Sequence, residues 1–324
     1  MSKILVTGCA GFIGSHLSQS LLNNNYKVVG IDNFDPYYNR ELKESNLGEF
    51  INHPNFTFHE LNLCNESDVR EKLSDTFDCI VHLAAKAGVR PSIENPQSYI
   101  DYNISATRNL LDLMKDTDSK KMVFASSSSV YGNIPQTPWN EELDVSMPIS
   151  PYAFTKKSCE LMNHTYHHLY NLDFINVRFF TVFGPRQRPD LAINKFTRLL
   201  FEGKAIPMFG DGSTARDYTF VKDIVSGIIK SIEYITSHDK VFENMNLGNN
   251  SPVKLIDLIN SIAEVTDQKL EIEQLPMQPG DVDITYADIS KAQQMLNYKP
   301  QTSLKEGLKE FVDWYLKHKE IIKA

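Results

Sequence analysis

Short β-rich apolar runs alternate with helix-like stretches through the first half of the chain: Lys3–Thr7, Lys27–Ile31, Phe56–Leu61, Cys79–Leu83, Lys121–Ala125 and Phe174–Arg178. That alternation implies parallel strands joined by right-handed helical crossovers, so the pattern predicts an α/β fold with a doubly wound parallel sheet of the Rossmann kind. From Gly184 onward the pattern loosens, with punctuation at Gly184-Pro185, Gly210-Asp211-Gly212 and Pro279-Gly280-Asp281. The expected division is a sheet domain over 1–180 and a smaller C-terminal lobe over 181–324 that binds the substrate, with Val241–Leu247 a candidate to return to the sheet as an added strand. No internal repeat or long linker separates the two, so they are expected to pack over a shared cleft.

Length and charge narrow the function classes. With 324 residues, 41% of them hydrophobic, the chain can bury a substantial core without disulfides. Cys9, Cys64, Cys79 and Cys159 form no Cys-x-x-Cys pair and read as reduced thiols of a cytoplasmic protein. The first residues run straight into a strand, and no apolar run approaches the roughly 20 residues needed to span a bilayer, so neither secretion nor a membrane is expected. A formal charge of -8 argues against nucleic acid as a partner. An anionic ligand would need local arginines and backbone N–H groups.

The first strand feeds such a group. Gly8, Gly11 and Gly14 permit a tight turn, close approach of a pyrophosphate and packing of the next helix on the strand, with the helix N-terminus facing the phosphates. The second strand ends at Ile31-Asp32-Asn33, which puts Asp32 18 residues beyond Gly14, where a carboxylate accepts from an adenosine ribose diol. A carboxylate repels a 2′-phosphate and no arginine follows immediately, so NAD is expected rather than NADP.

A second constellation lies farther along. Ser150 and Pro151 make a helix start, after which Tyr152 and Lys156 share a face one turn apart. Free tyrosine has a pKa near 10. A neighbouring ammonium and a positive nicotinamide would both favour phenolate, making Tyr152 a base for a sugar hydroxyl while Lys156 binds the nicotinamide ribose. The serine run Ser126–Ser129, at the carboxyl end of an apolar strand, falls where open α/β sheets hold ligands, although such a run can also satisfy its own backbone.

The Gly-x-x-Gly-x-x-Gly spacing, Phe12-Ile13-Gly14, Leu83-Ala84-Ala85, Asn103 in Asn-x-x-x-Thr-x-Asn and Tyr152-x-x-x-Lys156 together resemble the extended short-chain dehydrogenase/reductases, over essentially the whole chain. The resemblance implies that Phe12, Ile13, Asn33, Asn62, Leu63, Leu83, Ala84, Ala85, Phe179 and Val182 line NAD with the glycines and Asp32, and that Asn103 supports that site. Asn62 stands where many relatives carry an acid, and its amide oxygen can still accept from the adenine amine. The catalytic hydroxyl implied is Ser127. Ser128 and Ser129 occupy the positions at which dehydratases and decarboxylases of this family resemble one another in carrying acids, which favours 4-epimerisation over elimination.

In the second lobe, Arg216 matches the family's diphosphate arginine and Asp281 its uridine ribose acceptor, while Gln278 replaces a second phosphate arginine. Pairing with Asp217 or Asp211 would explain Arg216 equally, and a turn cap Asp281. Gly88, Val89 and Arg90, with Thr181, Arg186 and Arg188, most resemble the UDP-glucuronate 4-epimerases, and Ser127, Ser128, Thr181 and Arg188 are expected to hold a hexuronate carboxylate. The three arginines also suit surface salt bridges. A neutral UDP-sugar substrate, or NAD binding without chemistry, stays open. Relatives pair as homodimers through two helices, here expected over Gln97–Lys115 and Pro151–Leu169.

Overall fold

The computed structural model describes residues 2–276 and 282–323. Its main sheet contains β1 Lys3–Thr7, β2 Lys27–Asp32, β3 Phe56–Glu60, β4 Cys79–His82, β5 Lys121–Ser127 and β6 Asp173–Phe179. Later in the chain come β7 Thr181–Phe183, β8 Ile206–Phe209, β9 Ala215–Phe220, β10 Phe242–Leu247, β11 Pro252–Lys254 and β12 Ile272–Leu275. β10 returns to the main sheet, whose order is β10-β6-β5-β4-β1-β2-β3, every pair parallel. The other strands form a β11-β9-β7 sheet and a β12-β8 pair.

A parallel sheet covered on both faces needs strands that are apolar on both sides. In β1, Ile4 and Val6 enter one core and Leu5 the other. The first core lies under α1 Phe12–Asn23 and α2 Arg40–Gly48, the second under α3 Glu66–Lys72. After β4 come α4 Val89–Glu94, α5 Pro96–Tyr99 and α6 Ala106–Asp116, then α7 Pro151–Tyr170, of which α6 and α7 join α3. The rest of the chain adds α8 Ala192–Phe201, α9 Val221–Ser237, α10 Leu255–Thr266, α11 Ser290–Leu296 and α12 Leu304–Lys323. Of these, α9 packs between α1 and strands β5 and β6, so both halves of the chain build the first core. Among the described residues no helix is long and apolar enough to cross a membrane.

The expected helix over Gln97–Lys115 is not continuous. A π-helical turn, Ile100–Ser105, interrupts it. Such turns widen the backbone by one residue, and here the widening carries Asn103. Its Oδ1 accepts from Lys86 N at 2.8 Å, and its Nδ2 donates to Lys86 O at 3.0 Å and to Thr155 Oγ1 at 2.9 Å.

Helix α7 is held to the sheet by polar groups. Glu160, 2% exposed, accepts from Arg178 Nε at 2.9 Å and Nη2 at 3.0 Å, and Ser126 Oγ donates to it at 2.6 Å. Burial would raise the Glu160 carboxyl, but the Arg178 bonds hold it below its ordinary value. Arg178 Nη1 also donates to Tyr131 Oη, which donates to Asn246 Oδ1. Asn246 Nδ2 donates to Trp139 O and Asp288 O, tying in the second lobe. Breaking a buried pair by removing one partner strands the other charge. Glu160→Ala is expected to destabilise the fold by about 3–5 kcal/mol in urea unfolding, with a large part regained in Glu160→Leu/Arg178→Met.

Candidate active site

The turn after β1 is built as the glycine spacing predicts. Gly8 adopts φ +71°, and a Cβ at Gly14 would lie 2.1 Å from Gly8 O, so any side chain there would drive α1 off the strand. Gly11 caps α1 without a side-chain acceptor, and the first turn carries no acid. The leading N–H groups and the positive end of the helix dipole are thus offered to an anion. These residues form one wall of a cavity of about 590 Å³ lined also by Phe12, Ile13, Asp32, Asn33, Asn62 and Leu63, by Leu83, Ala84 and Ala85, and by Phe179 and Val182. A glycine cradle, an uncapped helix start and an acid at the end of β2 fit a dinucleotide, with Asp32 to hold its ribose.

Asp32 is more occupied than the sequence suggests. Its Oδ2 accepts from Ala10 N at 3.1 Å and its Oδ1 from Phe34 N at 2.9 Å, so it also shapes the turn. Burial raises its pKa against the pull of Lys43 and these two N–H groups. Each oxygen keeps lone-pair capacity for a diol. Asn62 Oδ1 likewise accepts from Cys64 N at 3.0 Å, closing an Asx turn beside the cavity.

His82, at the end of β4, anchors a buried network behind the cavity that the sequence reading missed. Thr7 Oγ1 accepts from Leu83 N and Ala84 N, both at 3.0 Å, and therefore donates to His82 Nδ1 at 2.7 Å. Thr107 Oγ1 donates to Asn103 O and accepts from His82 Nε2 at 3.0 Å. This fixes the neutral Nε2–H tautomer, and burial, with the nearby Lys156 charge, pushes the imidazole down to about 3. A polar pair at the ends of adjacent strands, Thr7 and His82, was the available signal. Asn103, which the resemblance implies supports the cofactor site, is buried behind the wall at 2% exposure and clamps the Lys86 backbone.

Tyr152 and Lys156 line the cavity from α7, whose Ser150 N-cap accepts from Ala153 N at 3.1 Å. The Tyr99 ring packs edge-on to Tyr152 at 6.1 Å. Ser127 Oγ accepts from Ser129 N and donates to Ser129 Oγ, both at 3.1 Å, so the serine run satisfies its own backbone, while Ser127 lies near enough to Tyr152 to lower the phenol pKa. Burial raises the Tyr152 pKa, and the Ser127 hydroxyl and the Arg188 charge pull it back. Arg188 is the cation that lowers the phenol pKa here. The Lys156 ammonium is turned to Ala125 O at 2.6 Å over the Phe124 ring, and burial pushes it down to about 8. Its two other N–H donors are available to a ligand in the cavity.

The expected sugar-side residues divide. Gly88, at φ +120°, Thr181 and Arg188 line the cavity, with Val89 opening α4 and Ser128 opening the turn after β5. Arg188 pairs bidentately with Asp190 at 2.8 and 3.0 Å and donates to Ala87 O at 3.4 Å. Arg186 does not point into the cavity. Its φ of +65° turns it onto α1 and α2, where Nη2 meets Gln19 Oε1 at 2.9 Å and Glu49 at 3.2 Å. Arg90 lies over the Phe209 ring at 5.8 Å, against β8 of the second lobe. Arg216, on β9, donates to Ala215 O at 2.9 Å, while Asp217 is spent on three backbone N–H groups of Asn249, Asn250 and Ala287. Asp281 and Gln278 lie outside the described residues. Lys86, Tyr37 and Tyr102 complete the wall without having been anticipated.

A family model described as GDP-mannose 4,6 dehydratase matches residues 5–311. A UDP-glucuronate 4-epimerase of Thermodesulfobacterium geofontis is 43% identical over 328 residues, covering 100% of this chain and 99% of that protein. Among solved structures, the UDP-glucuronic acid 4-epimerase of Bacillus cereus in complex with UDP-glucuronic acid and NAD is similar at a TM-score of 0.90 and 37% identity, covering 97% of this chain and 99% of that one. A UDP-N-acetylglucosamine 4-epimerase of Methanobrevibacter ruminantium is similar at 0.88 and 33%, covering 98% of this chain and 99% of its own. With its glycine spacing, its Tyr152–Lys156 pair and these matches over nearly its whole length, the chain belongs to the GDP-mannose 4,6 dehydratase family, within the extended short-chain dehydrogenase/reductases.

Proposed function

We propose that this chain is an NAD-dependent 4-epimerase that interconverts UDP-glucuronate and UDP-galacturonate. The observation that carries the reading is the meeting of Tyr152 and Lys156 in the wall of that cavity, with Ser127 beside Tyr152 at the end of β5 and hydroxyls at Ser128 and Ser129 where elimination would need acids. The UDP-glucuronate 4-epimerase relatives and the neighbour solved with UDP-glucuronic acid and NAD support the substrate pair.

When bound, NAD accepts a hydride from carbon 4 and returns it. Tyr152 takes the proton of the 4-hydroxyl and later gives it back, with Ser127 sharing a hydrogen bond with the reacting oxygen. Lys156, poised near 8, adds positive potential and a donor toward the nicotinamide ribose. The Arg188 guanidinium meets the hexuronate carboxylate in competition with Asp190, and Thr181 and Ser128 supply hydroxyls. Holding the bond from carbon 5 to that carboxylate near the plane of the 4-carbonyl, out of overlap with its π system, protects a 4-keto-uronate from losing carbon dioxide. Arg216 and Asp281 anchor the UDP, which frees the sugar ring to turn over between the two transfers.

We also propose a homodimer packed on α7. Phe154, Leu161 and Leu169 lie 46%, 58% and 58% exposed on that helix, whereas over Gln97–Lys115 Leu111 and Met114 are fully buried and Ile100 and Ile104 half-buried. Exposed apolar side chains at helical spacing suit a second copy of the chain. The free thiols suit a reducing compartment such as the cytoplasm.

Proton NMR of the purified protein with UDP-glucuronate is expected to show the 4-epimer growing in, and Tyr152→Phe to lose about 10²–10⁴-fold in kcat. Turnover of UDP-glucose or a UDP-N-acetylhexosamine, with UDP-glucuronate untouched, would reject the substrate. Because the Ser127 hydroxyl lowers the phenol pKa, Ser127→Ala is expected to raise it and move the acid limb of the kcat profile to higher pH. An unmoved limb would dismiss the contact. Sedimentation is expected to give a dimer for the unaltered chain and a monomer for Leu161→Glu.

A further inference from the structure

In the main sheet β1 lies between β4 and β2. A contact between the loop after β2 and the loop after β4 must therefore arch over the loop after β1, which carries the glycine turn and the start of α1. Such a contact exists. Lys86 Nζ, from the loop after β4, lies 3.3 Å from Asp35 Oδ2, from the loop after β2, with the side chains 25% and 19% exposed. Both residues line the cavity.

Each partner is braced from its own side. Lys86 lies over the Tyr102 ring at 5.0 Å, and its backbone is clamped in both directions by Asn103. Asp35 Oδ1 accepts from Tyr37 N at 3.0 Å, and its carbonyl accepts from Lys43 Nζ at 2.6 Å. A second tie runs alongside: Tyr37 Oη donates to Asp190 at 3.2 Å, and Arg188 reaches Ala87 O.

We infer that the Lys86–Asp35 pair is a clasp over the pyrophosphate stretch of the groove, and that it governs how fast the dinucleotide enters and leaves. This deepens the NAD-dependent reading and rests on it. An enzyme that borrows a hydride rather than consuming one is left with a stranded keto-sugar whenever its reduced cofactor escapes, so slow exchange serves the reaction. Lys86 and Asp35 hold each other rather than the ligand. Opening the pair therefore speeds entry and exit together and leaves affinity nearly unchanged, whereas losing a direct contact speeds exit alone.

The test is stopped-flow fluorescence of NADH with the intact chain and no sugar present. Asp35→Asn keeps the acceptor for Tyr37 N and removes only the charge, and Lys86→Met keeps the aliphatic packing on Tyr102. Each single variant is expected to speed association and dissociation about fivefold with Kd within about threefold, and the double variant to be no faster than the faster single, as one shared pair requires. Raising the salt concentration speeds both rates in the unaltered chain and not in the double variant, a second measurement that needs no single variant to fold. Rates within about twofold of the unaltered chain, faster release with matching loss of affinity, or single effects that multiply would overturn the clasp. Turnover of UDP-glucuronate by the unaltered chain scores the epimerase reading separately.

Discussion

The buried pair between Glu160 and Arg178 sets where α7 lies, and the site takes its geometry from that helix. Tyr152, Lys156 and Glu160 follow at intervals of four, so they form one stripe along the sheet-facing side. Apolar packing would hold such a helix against the sheet without fixing its rotation, because burial is non-directional. A fork of two N–H···O bonds to one carboxylate is directional, and the Ser126 hydroxyl on the same carboxylate adds a third fixed direction. Arg178 belongs to β6 and Ser126 to β5, so the helix is registered against two strands at once. Rotation of α7 by a fraction of a turn would separate the Tyr152 phenol from Ser127 on the adjoining strand end.

That arrangement draws on stability. Lys156 is buried with one carbonyl and the face of Phe124 as its nearest support, and the fall from 10.5 to about 8 corresponds to about 3 kcal/mol against the charged form. The Glu160 carboxylate offsets part of it. Behind the wall, the chain from Thr7 through His82, Thr107 and Asn103 to Thr155 satisfies each buried polar atom in turn and ties the turns after β1 and β4 to α7. Polar networks of this kind are unforgiving of partial satisfaction, and that is what makes them rigid. The same Asn103 clamps Lys86, so the helix bearing Tyr152 and the loop arching over the groove share a brace.

What could be read from the sequence was what depends on local period and turn chemistry. The six early strands fall where the apolar runs lie, β10 joins their sheet, the glycines at 8, 11 and 14 make the close turn, and Tyr152 and Lys156 share a helical face. What could not be read depends on partners far away in the chain. The direction of Arg186 is decided by Glu49 and Gln19, well over a hundred residues earlier, and Lys156 is turned aside by a carbonyl of β5. Two signals went unused. Glu160 extends a buried helical stripe by one turn, and Asn176 and Arg178 interrupt an otherwise apolar strand at alternate positions, as residues on one face of a buried strand do. An acid and a base at such positions ask for one another.

The reach of Arg178 extends beyond α7. Through Tyr131 and Asn246 it binds the Trp139 segment, and Trp139 stacks on the Tyr131 ring at 5.2 Å and bonds backbone to backbone with Tyr286 and Asp288. One guanidinium thus references both the proton-transfer helix and the lobe assigned to the nucleotide. Epimerisation needs the hydride to leave one face of carbon 4 and return to the other. With both walls tied to a single buried group, the proposed reaction changes faces by turning the ring rather than by moving one wall past the other, and a network that holds the walls in register suits a single Tyr152 serving both halves.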